Sequence, residues 1–298
     1  MQEDLTSMNK SKRTLHWFEH YNTIQYQCIH CQAALALTEK SLTCPNGHQF
    51  DMSKQGYYFL AHKSMSNRYD QTLFSSRRLI ITQSPLYHQL HQRLVELLNE
   101  GNSRPLAILD AGSGEGSHLH QLQHLLPAKT QLVGIDLAKA GIQLASDYNG
   151  QMLSLVADLT QLPFADQQFD AILSILSPAN YEEFNRVLKN QAQIIKIVPN
   201  TGYLKEIRSK LAEFGYLEDE NYDNSAIVKS FTKHYPEATV ERLQDTVELT
   251  QQQMQALIAM TPLTWRLSDK QRKVLHASLK GEMTLDVSVL IYKKNKPC

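Results

Sequence analysis

The sequence has few cysteines, no long run of apolar residues and no net charge. Its 298 residues include four cysteines, and lysine plus arginine balance aspartate plus glutamate at 30 each. Without an apolar run of about 20 residues we expect no membrane-spanning helix, and the polar first twenty residues lack a signal-peptide core. The charge balance creates no global field for nucleic acid. Thiols clustered at metal-binding spacing fit a reducing compartment, so we predict a cytoplasmic protein.

The cysteines that are present are concentrated in one short segment. Three of them precede a histidine in the order C-x2-C-x12-C-x3-H, within 21 residues: Cys28, Cys31, Cys44 and His48. Such a set is typical of a tetrahedral structural zinc site. We predict that these four residues bind one Zn2+, with His30 as a competitor for the fourth position.

The pattern of the chain divides it into four parts. Residues 1–20 are polar and predict a flexible N-terminus, 21–60 contain the metal motif and predict a zinc-ribbon RNA-binding domain, and 61–100 predict a basic helical connector. From 101 to 298 apolar strands alternate with amphipathic helices. That alternation predicts an α/β domain with a mostly parallel sheet, covered on both faces.

A glycine-rich loop follows the first apolar strand of this domain. Its spacing is G-x-G-x-G, which differs from the G-x-G-x-x-G of dinucleotide folds: Gly112, Gly114 and Gly116. Glycines let the backbone turn tightly and approach a ligand closely. The loop contains no lysine or arginine that could hold a phosphate. It therefore predicts a nucleoside cofactor without phosphates.

Acidic residues stand at the ends of three successive strands. Asp110 begins the loop, Asp136 stands where a ribose diol would bind, and Asp158 stands where an adenine amino group could be met. S-adenosylmethionine is the ligand that fits, with its amino group near Asp110 or Glu115. The alternative for Asp136 and Asp158 is ordinary capping of strand ends.

The stretch from Met52 to Arg93 is locally basic. It contains six cations against the single acid Asp70, interleaved with aromatic residues: Lys54, Lys63, Arg68, Arg77, Arg78 and Arg93, with Tyr57, Tyr58, Phe59, Tyr69 and Phe74. Cations beside aromatic rings are typical of surfaces that bind splayed nucleic acid. We predict RNA contacts here, through Arg77 and Arg78 among others. A solvated helix face is the alternative.

Several blocks of the chain resemble the RlmA-type 23S rRNA (guanine-N1)-methyltransferases. They run in the family's order over residues 26–292: Cys28–His48, Phe50–Tyr57, Arg77–Arg78, Asp110–Gly116, Leu162–Phe164, Ser177–Pro178 and Met260–Trp265. The glycine loop is common to many methyltransferases, whereas the ribbon followed by Phe-Asp-Met and the late Met-Thr-Pro are more specific.

This resemblance implies a fold, a substrate and further site residues. The implied fold is a Rossmann-like class I methyltransferase domain with a seven-stranded sheet, preceded by a zinc ribbon. The implied reaction moves a methyl group from S-adenosylmethionine to N1 of a guanine in a hairpin of 23S rRNA. The implied cofactor contacts are Tyr87, Gly114 and Glu115, and Tyr203 stands where the family has a histidine.

Some questions stay open at the level of sequence. No general base is identified, although the loop Ser177–Tyr181 is placed to grip a base edge. A small-molecule methyltransferase with a structural zinc ribbon, or a non-catalytic RNA-binding protein, is the alternative function. A homodimer is an open oligomeric state.

Overall fold

The computed structural model describes residues 7–65, 70–100, 104–217 and 222–294. Arg68 and Tyr69 of the basic stretch, and Cys298, lie outside them. The described residues form a small antiparallel sheet and a large mixed sheet with helices on both faces. None of the helices in these ranges is long and apolar enough to cross a bilayer.

The N-terminal part is a helix followed by short strands. The helix is α1 (Lys10–His20), and the small sheet has the order β1-β2-β3-β4: β1 (Tyr26–Gln27), β2 (Ala34–Thr38), β3 (Ser41–Thr43) and β4 (Gln49–Asp51). A fifth strand, β5 (Tyr58–Leu60), leaves this sheet and pairs with a strand of the large one.

The large sheet is built from the remaining strands in the order β11-β12-β10-β9-β6-β7-β8-β5. Their bounds are β6 (Ala107–Ala111), β7 (Gln131–Asp136), β8 (Leu153–Ala157), β9 (Phe169–Ile175), β10 (Leu188–Pro199), β11 (Thr239–Glu248) and β12 (Glu282–Lys293). The pairs from β10 to β5 are parallel, whereas β12 is antiparallel to both β10 and β11. The carboxyl ends of the parallel strands therefore meet at one edge, where ligands bind in open α/β sheets.

Helices cover the large sheet on both sides. They are α2 (Gln71–Gln83), α3 (His88–Asn99), α4 (Ser117–Gln123), α5 (Lys139–Ala145), α6 (Tyr181–Val187), α7 (Lys205–Glu213), α8 (Ser225–His234), α9 (Gln251–Met260) and α10 (Asp269–Ser278). Successive residues of β9 enter different apolar layers: Leu173 packs in the layer that contains α3, and Ile172 in the layer that contains α1. This alternation is the pleat of a strand buried on both faces.

The N-terminus differs from the predicted flexible segment. Residues Lys10–His20 are helical, with Asn9 accepting a hydrogen bond from the backbone N–H of Lys12 at 2.9 Å. Trp17 is 1% exposed and packs with Phe18 in the same apolar layer as Tyr58. Burial of two large aromatic side chains stabilises the helix in a position that its polar composition does not suggest.

The large sheet has eight strands instead of the predicted seven, because β5 joins it at the edge beside β8. Tyr58 and Leu60 are fully buried there. The predicted class, a class I methyltransferase fold preceded by a zinc ribbon, is confirmed, but the ribbon segment and the sheet share one apolar layer.

The predicted connector is part of the large domain. Residues of α3 at helical spacing are buried against the sheet: Leu90, Leu94, Leu97 and Leu98. Strand β11 was not predicted, because its residues alternate between exposed and half-buried positions and include few apolar ones.

Candidate functional site

The four predicted zinc ligands come together in the ribbon. Cys28 Sγ and Cys44 Sγ lie 3.5 and 3.4 Å from His48 Nδ1, and Cys31 Sγ lies 3.7 Å from Cys44 Sγ. A tetrahedral zinc with bonds of about 2.0–2.3 Å holds its ligand atoms roughly 3.3–3.8 Å apart. The donor set and its spacing therefore fit Zn2+, which His48 would hold through Nδ1, the ring nitrogen that faces the sulfurs.

His30, the competing ligand, lies beside His48, with ring centroids 4.9 Å apart, but does not join the ligand cluster. Its ring stacks on Phe50, with centroids 5.7 Å apart and an angle of 10° between the planes. The cluster of mutually close ligand atoms among the described residues contains the three cysteines and His48 but not His30.

The ribbon is attached to the large domain beside the end of β8. The backbone N–H of Gln27 donates to the Pro163 carbonyl at 3.0 Å, and Ala165 donates to the Gln25 carbonyl at 2.9 Å. Gln161 donates through Nε2 to the carbonyl of Ile29, between the first two zinc ligands, at 2.7 Å. The Leu-Pro-Phe segment thus serves as the docking strip for the ribbon, and Gln161 joins it to the turn that begins at Asp158.

A cleft of about 1810 Å³ opens at the carboxyl ends of the parallel strands. Its wall includes cofactor candidates from distant parts of the chain: Tyr87, Gly112, Asp136, Asp158 and Tyr203. These five predicted cofactor residues therefore share one cavity. The other four predicted cofactor residues are not part of its wall: Asp110, Gly114, Glu115 and Gly116. The zinc ligands are not part of its wall.

The glycine loop is held close to its neighbours. All three loop glycines have positive φ angles, of 89°, 59° and 75°, which favour glycine: Gly112, Gly114 and Gly116. A Cβ atom at Gly112 would lie 2.6 Å from Ser177 Cβ, and one at Gly114 would overlap the Arg77 guanidinium. Glycine is therefore required at both positions, because Ser177 and Arg77 pack directly against the loop backbone.

Asp136 closes the loop from the end of β7. Its carboxylate accepts hydrogen bonds from the backbone N–H of Gly114 at 2.8 Å and of Ala138 at 2.7 Å. Burial raises the pKa of Asp136, although these two N–H groups favour the charged form. Asp158 differs, since Oδ1 accepts two bonds from Thr160, one from the backbone and one from the hydroxyl. That arrangement matches the strand-end capping considered as its alternative role.

Two buried carboxylates lie beside the loop without hydrogen-bond donors. Asp110 is 1% exposed and Glu115 is fully buried, and none of their carboxylate oxygens has a hydrogen-bond partner among the described residues. Arg77 Nη1 lies 3.4 Å from Glu115 Oε2. Burial raises the pKa of Asp110 to about 7, and the nearby Arg77 guanidinium partly opposes that rise. Buried acids without donors call for a cationic ligand group.

The two predicted tyrosines meet in this cavity. The hydroxyls of Tyr87 and Tyr203 are 2.8 Å apart, which is hydrogen-bond distance. His118 packs edge-on against the Tyr87 ring at 5.1 Å, and its Nδ1 lies 2.9 Å from His91 Nε2. Burial lowers the pKa of both histidines, so this pair is neutral and one ring donates to the other.

The loop after β9 is fixed by a buried lysine. Lys196 donates through Nζ to the Ser177 carbonyl at 2.7 Å and to Ser174 Oγ at 3.0 Å. Ser177 Oγ in turn donates to the Ala111 carbonyl at 2.6 Å, and Leu176 has a φ of 53°. Burial lowers the pKa of Lys196 to about 8. This network presents Pro178 to the cleft.

The arginines of the basic stretch are engaged within the fold. Arg77 faces the buried acids, Arg78 donates to Asp147 at 2.6 Å, and Arg93 forms two bonds with Glu241 at 2.9–3.0 Å. Both Arg77 and Arg78 thus already have acidic partners within the fold, whereas Lys54 and Lys63 of the same stretch are exposed. That this stretch contacts RNA phosphates stays a prediction.

Comparison with known proteins identifies the family. The family model described as RlmA, N-terminal, matches residues 26–61, and the methyltransferase domain model matches 108–197. YxjB of Bacillus subtilis, provisionally named a 23S rRNA (guanine-N(1)-)-methyltransferase, is 37% identical over 90% of this chain and 97% of its own length. The chain belongs to the RlmA-type 23S rRNA (guanine-N1)-methyltransferase family. The resemblance stated from the sequence blocks is thus confirmed.

One further relative and one solved structure are also similar to this RlmA-type chain. The 23S rRNA (guanine(748)-N(1))-methyltransferase of Streptomyces fradiae is 27% identical over 91% of the chain and 97% of its own length. A phosphoethanolamine N-methyltransferase of Haemonchus contortus, solved with S-adenosyl-L-methionine, shares the fold with a TM-score of 0.50 at 13% identity. That likeness covers 77% of this chain and 58% of the other.

Three residues of the cleft wall were not assigned to the cofactor site from the sequence. Arg77 was assigned to RNA, while His118 and Lys196 were given no role, yet all three line the cleft. Lys196 could have been found, because a lysine within the apolar run of β10 must be buried and therefore needs a partner. For Arg77 and His118, only the packing of α2 and α4 against the sheet reveals the position.

Proposed function

We propose that this protein transfers a methyl group from S-adenosylmethionine to N1 of a guanine in a hairpin of 23S rRNA. The observation that carries the proposal is the pair of buried, donor-free carboxylates, Asp110 and Glu115, at the glycine loop whose Gly112 lines the cleft. The names of relatives that align over nearly the whole chain support the same reaction. One Zn2+ in the Cys28–His48 site stabilises the ribbon.

Different residues in and beside the cleft bind different parts of the methyl donor, S-adenosylmethionine. Asp110 and Glu115 offer carboxylate oxygens to the ammonium group of its methionine part, and Arg77 offers the positive charge that suits the adjoining carboxylate. Asp136 offers its second lone pairs to the ribose hydroxyls, and the Tyr87–Tyr203 pair adds hydroxyls to the same wall. Glycine at positions 112 and 114 lets Ser177 and Arg77 pack directly against the loop backbone, which places Arg77 beside the donor site.

The donor supplies a methyl group on a positively charged sulfur, which is already activated toward a nitrogen nucleophile. The protein therefore contributes mainly position. Guanine N1 lies on the Watson–Crick edge, so the base must be unpaired before it can enter the cleft. The loop at Pro178 and the rings of Tyr181 and Trp265 line the entrance and are suited to hold such a base.

The decisive experiment is transfer of a labelled methyl group to a 23S rRNA transcript, followed by primer extension. Methylation at N1 blocks base pairing, so we expect a single strong stop at one guanine in a hairpin. Asp136→Ala is the matched control, because it keeps the fold's apolar core but removes the proposed ribose contact. Transfer to a small molecule with no label in rRNA would reject the proposal in favour of the small-molecule alternative.

An rRNA substrate also implies that the protein acts in the cytoplasm. A homodimer stays a prediction, and light scattering of the purified protein measures it directly. A mass of one chain at micromolar concentration would exclude a stable dimer.

A further inference from the structure

A second basic segment borders the cleft, on and before α10. Between Trp265 and Gly281 it has five cations against the single acid Asp269: Arg266, Lys270, Arg272, Lys273 and Lys280. Arg266 and Arg272 are part of the cleft wall, together with Trp265. The charge imbalance therefore lies at the entrance through which a substrate must pass.

The charges of this segment point to solvent, unlike those of Arg77, Arg78 and Arg93. Arg266, Lys270 and Lys273 are exposed, and none of them has an ion pair within the described ranges. Arg272 lies 3.7 Å from the Asp269 carboxylate and donates through Nε to the Thr264 carbonyl at 3.4 Å. Cations without acidic partners remain available to an external anion.

The segment holds these cations on a rigid support. Ser268 and Gln271 form a capping box at the start of α10, and Leu275 is fully buried against the fold. His276 Nε2 lies 3.0 Å from the carbonyl of Gln251 at the start of α9. Lys270 and Lys273 are three positions apart, so their side chains lie on the same face of the helix, about 5–6 Å apart at Cβ.

We propose that the exposed face Arg266–Lys273, and not the pair Arg77–Arg78, carries phosphate contacts that hold RNA at the cleft. This inference rests on the proposed function, because it takes RNA as the substrate. Charge decides the class of partner, since exposed cations beside a cleft whose wall also carries aromatic rings suit a splayed polynucleotide. Phosphate contacts position the RNA, while base contacts within the cleft select the guanine.

The test compares two double variants that each remove two positive charges. Lys270→Gln/Lys273→Gln changes the proposed face. Lys129→Gln/Lys294→Gln changes the opposite edge of the sheet, where Lys129 precedes β7 and Lys294 follows β12. Binding of a 23S rRNA transcript is measured over a range of salt concentrations, together with methyl transfer and calorimetry of S-adenosylmethionine.

We expect the α10 variant to lose roughly tenfold in RNA affinity and about one to two units of the salt slope. Its KM for RNA rises, whereas kcat and the affinity for S-adenosylmethionine stay at wild-type values. The edge variant keeps the wild-type slope. Arg77→Gln gives the opposite pattern, with weakened binding of S-adenosylmethionine and an unchanged slope.

Three outcomes would contradict these statements, and they are distinguishable. If the salt dependence of RNA affinity has the wild-type slope in the α10 variant, the inference is overturned, and an acidic protein surface becomes the partner for the face Arg266–Lys273. An equal loss in both double variants also overturns it, because the effect would then be one of net charge. A wild-type protein that neither binds nor methylates the transcript rejects the proposed function itself.

Discussion

The zinc centre and the cofactor pocket are assembled in different ways. The four zinc ligands come from 21 consecutive residues, and their donor atoms lie within 4.8 Å of one another. The pocket takes its polar groups from α2, the end of β7 and the segment after β10, which contribute Arg77, Asp136 and Tyr203 from positions far apart in the sequence. A local site leaves a complete motif in the sequence, whereas a distributed site leaves only fragments.

The two regions also differ in what holds them. The ribbon is too small for a core of its own, so it depends on metal and on the apolar layer that it shares with the large sheet. The pocket is held by the packed sheet and by buried charges that face one another. Loss of a zinc ligand should therefore act locally, and loss of a pocket charge should act on the whole domain.

The largest effect is expected at the zinc centre. Cys44→Ser removes one of the zinc ligands themselves. It should therefore weaken zinc binding by more than about a hundredfold, which is the largest effect expected from changing a residue that only supports a ligand. Hydrogen exchange should rise in 26–51, while the large sheet stays protected. Metal analysis and exchange mass spectrometry measure both.

Gln161 allows a test of whether the effect of losing zinc stays within the ribbon. If the Cys44→Ser variant also loses affinity for S-adenosylmethionine, the bond from Gln161 to Ile29 transmits the disorder to the Asp158 turn. Gln161→Ala with intact zinc then serves as the control, since it removes that bond, together with the contact of Gln161 to His62, and leaves the metal ligands unchanged.

In the pocket, Arg77→Gln should lower the free energy of unfolding by about 3 kcal/mol, because it leaves the buried Glu115 without its partner. Glu115→Gln added to this variant should restore part of the loss, since no uncompensated charge remains. Denaturant unfolding of both variants gives the comparison. A single variant as stable as the wild type would show that the pair is not held in the folded protein.

Asp136→Ala should weaken S-adenosylmethionine binding roughly ten- to a hundredfold, which corresponds to about 1.5–3 kcal/mol for a bond to a charged group. Asp158→Ala is the matched control at the neighbouring strand end. Its effect should be smaller, because Thr160 already occupies the Asp158 carboxylate. Equal losses by calorimetry would mean that both acids contact the ligand.

The smallest effect is a pH dependence that Asp110 controls. The folded protein raises the pKa of Asp110 from 3.8 to about 7, so between these values it retains a proton that the unfolded chain has lost. Stability should therefore fall as pH rises through this window. Affinity for S-adenosylmethionine should rise toward pH 7, since the ionised carboxylate attracts an ammonium group.

Asp110→Asn is the test of that dependence. It should flatten both the stability curve and the binding curve between about pH 4 and 7. Calorimetry at several pH values measures the second, and an unchanged curve in the variant would assign the dependence to another group, such as Asp136.

Much of this protein is determined by its sequence alone. The spacing of Cys28 to His48 fixes the ligand set, because a short chain segment can close around one ion in few ways. The strand–glycine–helix order fixes the loop at Gly112–Gly116, and the acids that end strands fix the cofactor edge of the sheet. The family also follows from these blocks, because they are contiguous and keep their order.

Other features were decided only by tertiary structure. The position of β5 in the large sheet, the burial of Trp17 and the inward direction of Arg77 depend on contacts between residues far apart in the chain. A run of basic residues looks the same in the sequence whether its side chains face water or a buried acid. The tertiary fold decides between these two environments, because the free energy of a cation depends on the dielectric and on the partner that distant segments bring to it.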